Sequence, residues 1–328
     1  MGPARPTTDP WRRHPTPHDR TVMTGTAHSI PPVHHAPLVR HTSRAARAIA
    51  RRPMTWFFVL AFAPAWAYEL ICVIVFRLPL MPWMIAAPFL GPTAAAFVVT
   101  HAVEGREGVR RLLRDLIRWR VAARWYLLAL VGVPALLTVC VLPLPGALSA
   151  LDPQPAAIPT WLVLYAVVLV VGGPLGEEPG WRCFATPRLQ DRFGPTVGTF
   201  VLAVLWALWH LPLSLIEGYN HAGAGLGGII RPFLIFLAFV ICVSYLFTWV
   251  FNRTQGSGPI AILLHTPLNV SLLPVLFPTV PDSLRYQVWQ VVGFGVVAVV
   301  LLVLTRGRLS LASARHRGAE ERALAKRC

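Results

Sequence analysis

Long uninterrupted apolar runs constrain this chain more than any other feature. Residues 161–171 and 288–304 hold no charged side chain, and charged residues make up only 13% of the 328 residues. A soluble domain carries about twice that share, and about 20 apolar residues cross the hydrocarbon core of a bilayer. Only helices or closed barrels satisfy their backbone in lipid, and no run alternates with a barrel's two-residue period. The sequence therefore predicts an all-α, polytopic transmembrane helical bundle.

Apolar stretches of suitable length recur about eight times. The predicted spans are 55–76, 81–101, 125–144, 161–176, 196–216, 229–251, 259–276 and 288–304. Residues 104–124 mix Arg with apolar residues at helical spacing, which predicts an amphipathic helix on the membrane surface. The membrane domain is expected to cover 55–305. A disordered basic tail, 1–54, is expected before it, and a second basic tail, 306–328, after it.

Positive charge is distributed along the chain as the positive-inside rule predicts. With eight spans and a cytoplasmic N-terminus, every Lys and Arg except Arg77, Arg231 and Arg285 falls on the cytoplasmic side. This predicts a multi-pass protein of the inner or plasma membrane with both termini in the cytoplasm, whose basic loops attract anionic lipids. The net charge of +16 has no aromatic platform beside it, so nucleic-acid binding is not expected.

Two adjacent carboxylates, Glu177 and Glu178, follow the fourth apolar run. Arg182 lies four residues after Glu178, so the two can pair on one helix face, which leaves Glu177 freer to face a cavity. The alternative is that both glutamates cap the end of the span in water. Glu69, within the first span, is a further intramembrane acid that could line a cavity.

Further polar residues lie in later apolar segments. His210 is expected deep in an apolar helix, where a single His can also be a packing residue. His265 and Asn269 are four residues apart and share a helix face, either beside a polar cavity or as hydrogen-bonding contacts between helices. A carboxylate, two imidazoles and an amide can activate water and stabilise an oxyanion. Glu177, His210 and His265 could instead hold zinc with an open position.

Three spaced motifs resemble a known family. Glu177-Glu178-Pro179-Gly180-Trp181-Arg182 is similar to E-E-x-x-x-R, Trp206 to His210 to F-x-x-x-H, and His265 to Asn269 to H-x-x-x-N. Together, over 159–274, they resemble the CPBP family of intramembrane endopeptidases, which includes type II CAAX prenyl proteases and abortive-infection proteins. Trp206 stands where the motif has Phe and is expected to be tolerated as a packing aromatic.

The resemblance implies a membrane endopeptidase acting on a membrane-tethered protein or peptide. It implies Glu177 as general base assisted by His210, His265 and Asn269 as the oxyanion site, and Glu178 and Arg182 as supporting residues. The family is described both as metal-dependent and as glutamate-dependent, so zinc stays open. A transporter and a non-enzymatic immunity or chaperone protein remain as alternatives.

Overall fold

The computed structural model describes residues 43–78, 83–171, 173–216, 219, 225–270, 276–277 and 283–311. Over these ranges its regular structure is helical, without a strand, so the predicted all-α fold is confirmed. In chain order the helices are α1 (Arg44–Arg51), α2 (Pro53–Val75), α3 (Ala86–Leu116), α4 (Ala123–Val139), α5 (Ala157–Val171), α6 (Pro174–Glu178), α7 (Thr186–Trp209), α8 (Gly225–Arg253), α9 (Gly258–Asn269) and α10 (Ser283–Leu304).

Several helices are long and apolar enough to cross a membrane. Among the described residues, five stretches meet that condition: Pro53–Val75, Ala86–Leu116, Ile158–Trp209, Gly225–Arg253 and Leu284–Leu304. Each of the eight predicted spans overlaps a described helix, but α4 and α9 are too short to count. The multi-pass membrane fold is therefore supported, whereas the number eight is not confirmed.

The outer helices α5 and α10 expose their apolar side chains. Val163 and Val170 on α5, and Val299 and Val303 on α10, each have about half or more of their surface exposed. A single exposed valine needs no explanation, but whole exposed apolar faces on neighbouring turns suit contact with lipid tails.

The structure differs from the sequence-based expectations at several helix ends. A helix, α1, occupies part of the predicted disordered tail, because Ser43 caps it and it packs against α3; residues 1–42 lie outside the described residues. The expected surface helix is continuous with the second span, and the two parts meet at Gly105, whose φ of 64° changes the chain direction. The third and seventh spans end early, at Val139 and Asn269.

The centre of the fold is a short helix between two breaks. Gly173, with φ 105°, separates α5 from α6, and Pro179–Ala185 follows α6 as a π-helical turn leading into α7. This segment lies directly on α3, where a Cβ added to Gly180 would come within 2.5 Å of the Pro92 backbone oxygen. Only glycine, which lacks a Cβ, allows that approach. The segment that carries Glu177 and Glu178 is therefore buried in the protein interior.

Two tryptophans attach α2 to the end of α7. The indole N–H of Trp66 donates to the Trp209 carbonyl at 2.9 Å, and the Trp209 indole donates to the Ala61 carbonyl at 3.0 Å. These two bonds fix the first long helix against the residue that precedes His210. On its other side, α7 packs along α8, which in turn packs along α10.

Candidate active site

Four separate elements carry the residues that the sequence singled out. Glu177 and Glu178 lie on α6, Arg182 on the π-helical turn, His210 at the end of α7, and His265 with Asn269 on α9. The breaks at Gly173 and after Trp209 turn these elements toward one another. All of these residues are buried except Asn269, which is exposed.

Glu177 lies in the first turn of a new helix, α6, and does not end a span as expected, because Gly173 has already interrupted the preceding helix. Its Oε2 accepts a hydrogen bond from the Trp206 indole N–H at 2.7 Å. Its Oε1 lies close to Gly173, where an added Cβ would be 2.8 Å from that oxygen and 3.4 Å from Asn269 Nδ2. The Glu177 carboxylate is therefore positioned by the Trp206 indole on one side and by the backbone of Gly173 on the other.

His210 caps the C-terminus of α7 and does not lie deep within it as expected, because α7 ends one residue before it and a 3₁₀ turn follows. Its Nδ1 lies 2.9 Å from the Trp206 carbonyl oxygen. If Nδ1 donates to that carbonyl, Nε2 of the neutral ring is an acceptor. Nε2 is 4.0 Å from Glu177 Oε2, so a single water can hydrogen-bond to both.

Glu178 points away from Glu177 and joins two other site residues. Its Oε1 is 2.7 Å from His265 Nδ1, and its Oε2 is 3.4 Å from Arg182 Nε, without hydrogen-bond geometry. The pairing with Arg182 agrees with their four-residue spacing. The contact with His265 joins residues 87 positions apart, and no local pattern in the sequence indicates it.

Arg182 is held between aromatic rings. Its Cζ lies 4.3 Å from the centre of the Trp206 ring and 4.5 Å from that of Phe247, and only 1% of the residue is exposed. Stacking on aromatic faces favours a guanidinium that is shielded from water. The Arg182 guanidinium therefore lies beside Glu178 and is not part of the cavity lining.

A cavity of about 500 Å³ connects these side chains. Its polar lining includes Glu177, His210, His265 and Asn269, and also Glu69 from α2. Apolar residues of α8 form much of the opposite wall: Ile235, Phe236, Phe239, Val240 and Val243. The predicted carboxylate, two imidazoles and carboxamide are therefore brought together around one space, with Glu178 and Arg182 behind it.

The zinc alternative can be compared with this donor geometry. Both imidazoles direct Nδ1 at an oxygen, an arrangement that orients Nε2 of metal-binding histidines. Zinc ligands, however, all lie about 2.0–2.3 Å from one ion, and no three His, Cys, Asp or Glu side chains within the described ranges form such a group. The zinc set Glu177, His210 and His265 stays a prediction without support from the geometry.

Trp206 has a role that the amino-acid sequence did not indicate. It was expected only to pack in place of the motif phenylalanine, but its indole N–H bonds to Glu177, which phenylalanine could not do. Its ring also stacks on Arg182 and meets the His265 ring edge-on. The indole at a motif position was the available signal, although a sequence alone does not show which acceptor it reaches.

Comparison with known proteins finds similarity in the part of the chain that carries the three motifs. Residues 159–271 match the family model described as type II CAAX prenyl endopeptidase Rce1-like. A similar protein is the CAAX prenyl protease 2 of Methanococcus maripaludis, which is 26% identical over 95 residues. That alignment covers 29% of this chain and 35% of the relative, so the chain matches about a third of the relative's length. The resemblance that the three motifs predicted is thus confirmed: residues 159–271, which contain all three motifs, are similar to the type II CAAX prenyl endopeptidase model.

Proposed function

We propose that this protein is an intramembrane endopeptidase that hydrolyses a peptide bond of a membrane-associated protein or peptide. The observation that carries the proposal is the convergence of Glu177, His210, His265 and Asn269 on one cavity. These residues come from three helices that are distant in sequence. A carboxylate beside an imidazole, opposite a second imidazole and an amide, is the set that water-mediated acyl hydrolysis needs.

Glu177 and His210 activate the water in this proposal. A water between Glu177 Oε2 and His210 Nε2, which are 4.0 Å apart, donates one hydrogen to each acceptor and turns a lone pair toward the substrate carbonyl. As the water oxygen bonds to the carbonyl carbon, Glu177 takes its proton. The C–N bond then breaks, and Glu177 returns that proton to the leaving amine.

His265 and Asn269 stabilise the oxyanion that forms on the carbonyl oxygen. Asn269 offers its side-chain N–H, and its Nδ2 lies on the Gly173 side of the cavity, near Glu177. His265 can donate from Nε2 when both ring nitrogens carry protons. In that state Nδ1 donates to Glu178 at 2.7 Å. Removing one oxyanion donor typically costs a factor of about 100 to 1,000 in rate.

Glu178 and Arg182 act as positioning residues. Glu178 orients the His265 ring, and Arg182 balances the charge of Glu178 from between two aromatic rings. Neither reaches the cavity, since the described lining contains neither of them. Their proposed effect on the reaction is therefore indirect.

The substrate, membrane and orientation are part of the proposal. The lipid-suited faces of α5 and α10 support a tethered substrate that reaches the cavity from the bilayer. The basic clusters support cytoplasmic termini in an inner or plasma membrane, next to anionic lipids. The orientation can be measured by reporter fusions at both ends of the chain.

The central experiment measures hydrolysis by purified protein in lipid vesicles, with a fluorogenic peptide carrying a lipid anchor. We expect Glu177→Ala to lower kcat by about 1,000-fold and His210→Ala by about 100-fold, in the range of general acid–base catalysis. The matched control is Glu107→Ala, which removes a carboxylate with 64% of its side chain exposed. Unchanged hydrolysis in both site variants would refute the assignment.

A further inference from the structure

Glu69 occupies a position that the helix otherwise reserves for small or apolar residues. The buried face of α2 repeats every four residues, as Phe57, Ala61, Ala65 and Glu69. Glu69 is only 1% exposed. A carboxylate within a membrane span costs about 2.5 kcal/mol or more, so a group kept there needs a compensating interaction.

The surrounding structure aims Glu69 at the catalytic cavity. Trp66 lies three residues earlier, on the same face of α2, and its indole bonds to the Trp209 carbonyl beside His210. This contact fixes the rotation of α2, and Glu69 accordingly lines the cavity together with Glu177 and His210.

Within the described structure, one oxygen of the Glu69 carboxylate is left without a compensating partner. Its Oε2 is buried and has no hydrogen-bond partner. The described lining of the cavity includes no Lys or Arg, although the chain carries a net charge of +16. The buried guanidinium of Arg182 faces Glu178. The cavity is therefore acidic within a strongly basic protein.

We propose that Glu69 binds a cationic side chain of the substrate, a lysine or an arginine close to the scissile bond. This inference rests on the proposed endopeptidase function, because that function makes the ligand a peptide. Lysine and arginine have long apolar stems under a charged end. The stem packs along the α8 wall of Phe236 and Phe239, and the charged end meets Glu69.

The test uses anchored peptides in which one lysine is moved through each position around the scissile bond. Each peptide has a partner in which norleucine, uncharged and of similar length, replaces that lysine. For the intact protein we expect one position where lysine raises kcat/KM by about 10- to 100-fold over norleucine, mostly through KM. In Glu69→Gln the ratio of the two kcat/KM values falls to about one, and Glu69→Arg favours a glutamate-containing peptide.

Glu107→Gln is the matched control, because it removes an exposed acid distant in sequence from Glu69 and must leave the lysine-to-norleucine ratio unaltered. The proposal is overturned if the intact protein prefers lysine at no position. It is also overturned if Glu69→Gln keeps the preference, or slows both peptides equally, which would indicate a proton-transfer or packing role.

A binding measurement separates this inference from the proposed function. Fluorescence anisotropy with uncleavable lysine and norleucine peptides needs no hydrolysis. Lysine-selective binding that disappears in Glu69→Gln, in a protein that cleaves nothing, would refute the endopeptidase function and retain the cation site. Equal binding of both peptides by the intact protein would refute the cation site whatever the catalytic result.

Discussion

Glu104 and Glu177 are both buried carboxylates, with 7% and 3% of their surfaces exposed, but their neighbours differ. Glu104 on α3 accepts from Arg188 Nη2 at 2.6 Å and also pairs with Arg111. Among the described residues, no arginine pairs with Glu177; its Oε2 accepts a hydrogen bond from an indole and lies near an imidazole. The first cluster is neutralised by its own side chains, and the second leaves its charge facing a cavity.

The difference separates a carboxylate that stabilises the fold from one that can act on a ligand. Arg188 also stacks on Phe184 and donates to its backbone carbonyl, so the Glu104 cluster connects α3 to the start of α7. A buried charge with a full set of partners has no capacity left for chemistry. A buried carboxylate that no cation offsets is a candidate functional group.

The largest expected effect is opposite behaviour of the two carboxylates in stability. Glu104→Gln leaves two partly buried guanidinium groups without their anion, and we expect the free energy of unfolding to fall by about 2–3 kcal/mol. Glu177→Gln keeps an oxygen for the Trp206 indole and removes a buried charge that forms no arginine salt bridge within the described residues, so the free energy of unfolding should stay equal or rise. Chemical unfolding in detergent micelles measures the free energy of unfolding of both variants. A larger decrease for Glu177→Gln than for Glu104→Gln would contradict the proposed difference between the two carboxylates.

A smaller effect is expected from the backbone that supports Glu177. Gly173→Ala and Gly194→Ala both place a Cβ on a residue with positive φ, 105° and 79°, at a backbone cost of about 1 kcal/mol each. Only the Cβ on residue 173 would meet Glu177 Oε1, at 2.8 Å, whereas residue 194 has open space. We expect similar thermal unfolding but about tenfold lower kcat for Gly173→Ala alone. Equal kcat values would show that the carboxylate is not confined there.

Trp206→Phe sharpens the same comparison by restoring the motif residue. Loss of a hydrogen bond to a charged group is worth about 1.5 kcal/mol, and we expect kcat to fall by about tenfold through misplacement of Glu177. Trp125→Phe is the control, because Trp125 is also buried but packs against Trp249, away from the cavity. If both variants keep full turnover, the indole contributes packing alone.

The smallest expected effect is that of metal removal. The proposed route uses Glu177 and His210 without a metal, so dialysis against a chelator should leave turnover within about twofold. Elemental analysis of the same sample reports whether metal was present at the start. Loss of activity that added zinc restores would replace this route by a metal-dependent one.

The sequence was sufficient for the features that depend on periodicity and on local spacing. Apolar runs predicted the helical membrane fold, and four-residue spacing predicted the pairing of Glu178 with Arg182. The convergence of Glu177, His210, His265 and Asn269 on one cavity was hypothesised from polar residues in apolar segments and from the resemblance. The fold positions each of them through contacts between distant helices.

Other features could not be obtained from local pattern. The early helix ends at Val139 and Asn269 were not indicated by the apolar pattern, because the apolar runs continue beyond them. The Glu178–His265 contact and the bond from Trp206 to Glu177 join distant helices, so spacing along the chain carries no signal for them. Glu69 was expected only as an acid that could line a cavity, and the position of α2 places it in the same lining as Glu177.

The reciprocal tryptophan bonds between α2 and the end of α7 bear on how the protein is assembled. Trp66 and Trp209 are 143 residues apart, so their bonds can form only after most of the polypeptide has been synthesised and inserted. Since they fix the residue before His210, correct placement of that imidazole is a late event in biogenesis. A fragment limited to residues 159–271 would lack this anchor and could not be transplanted as an independent catalytic module.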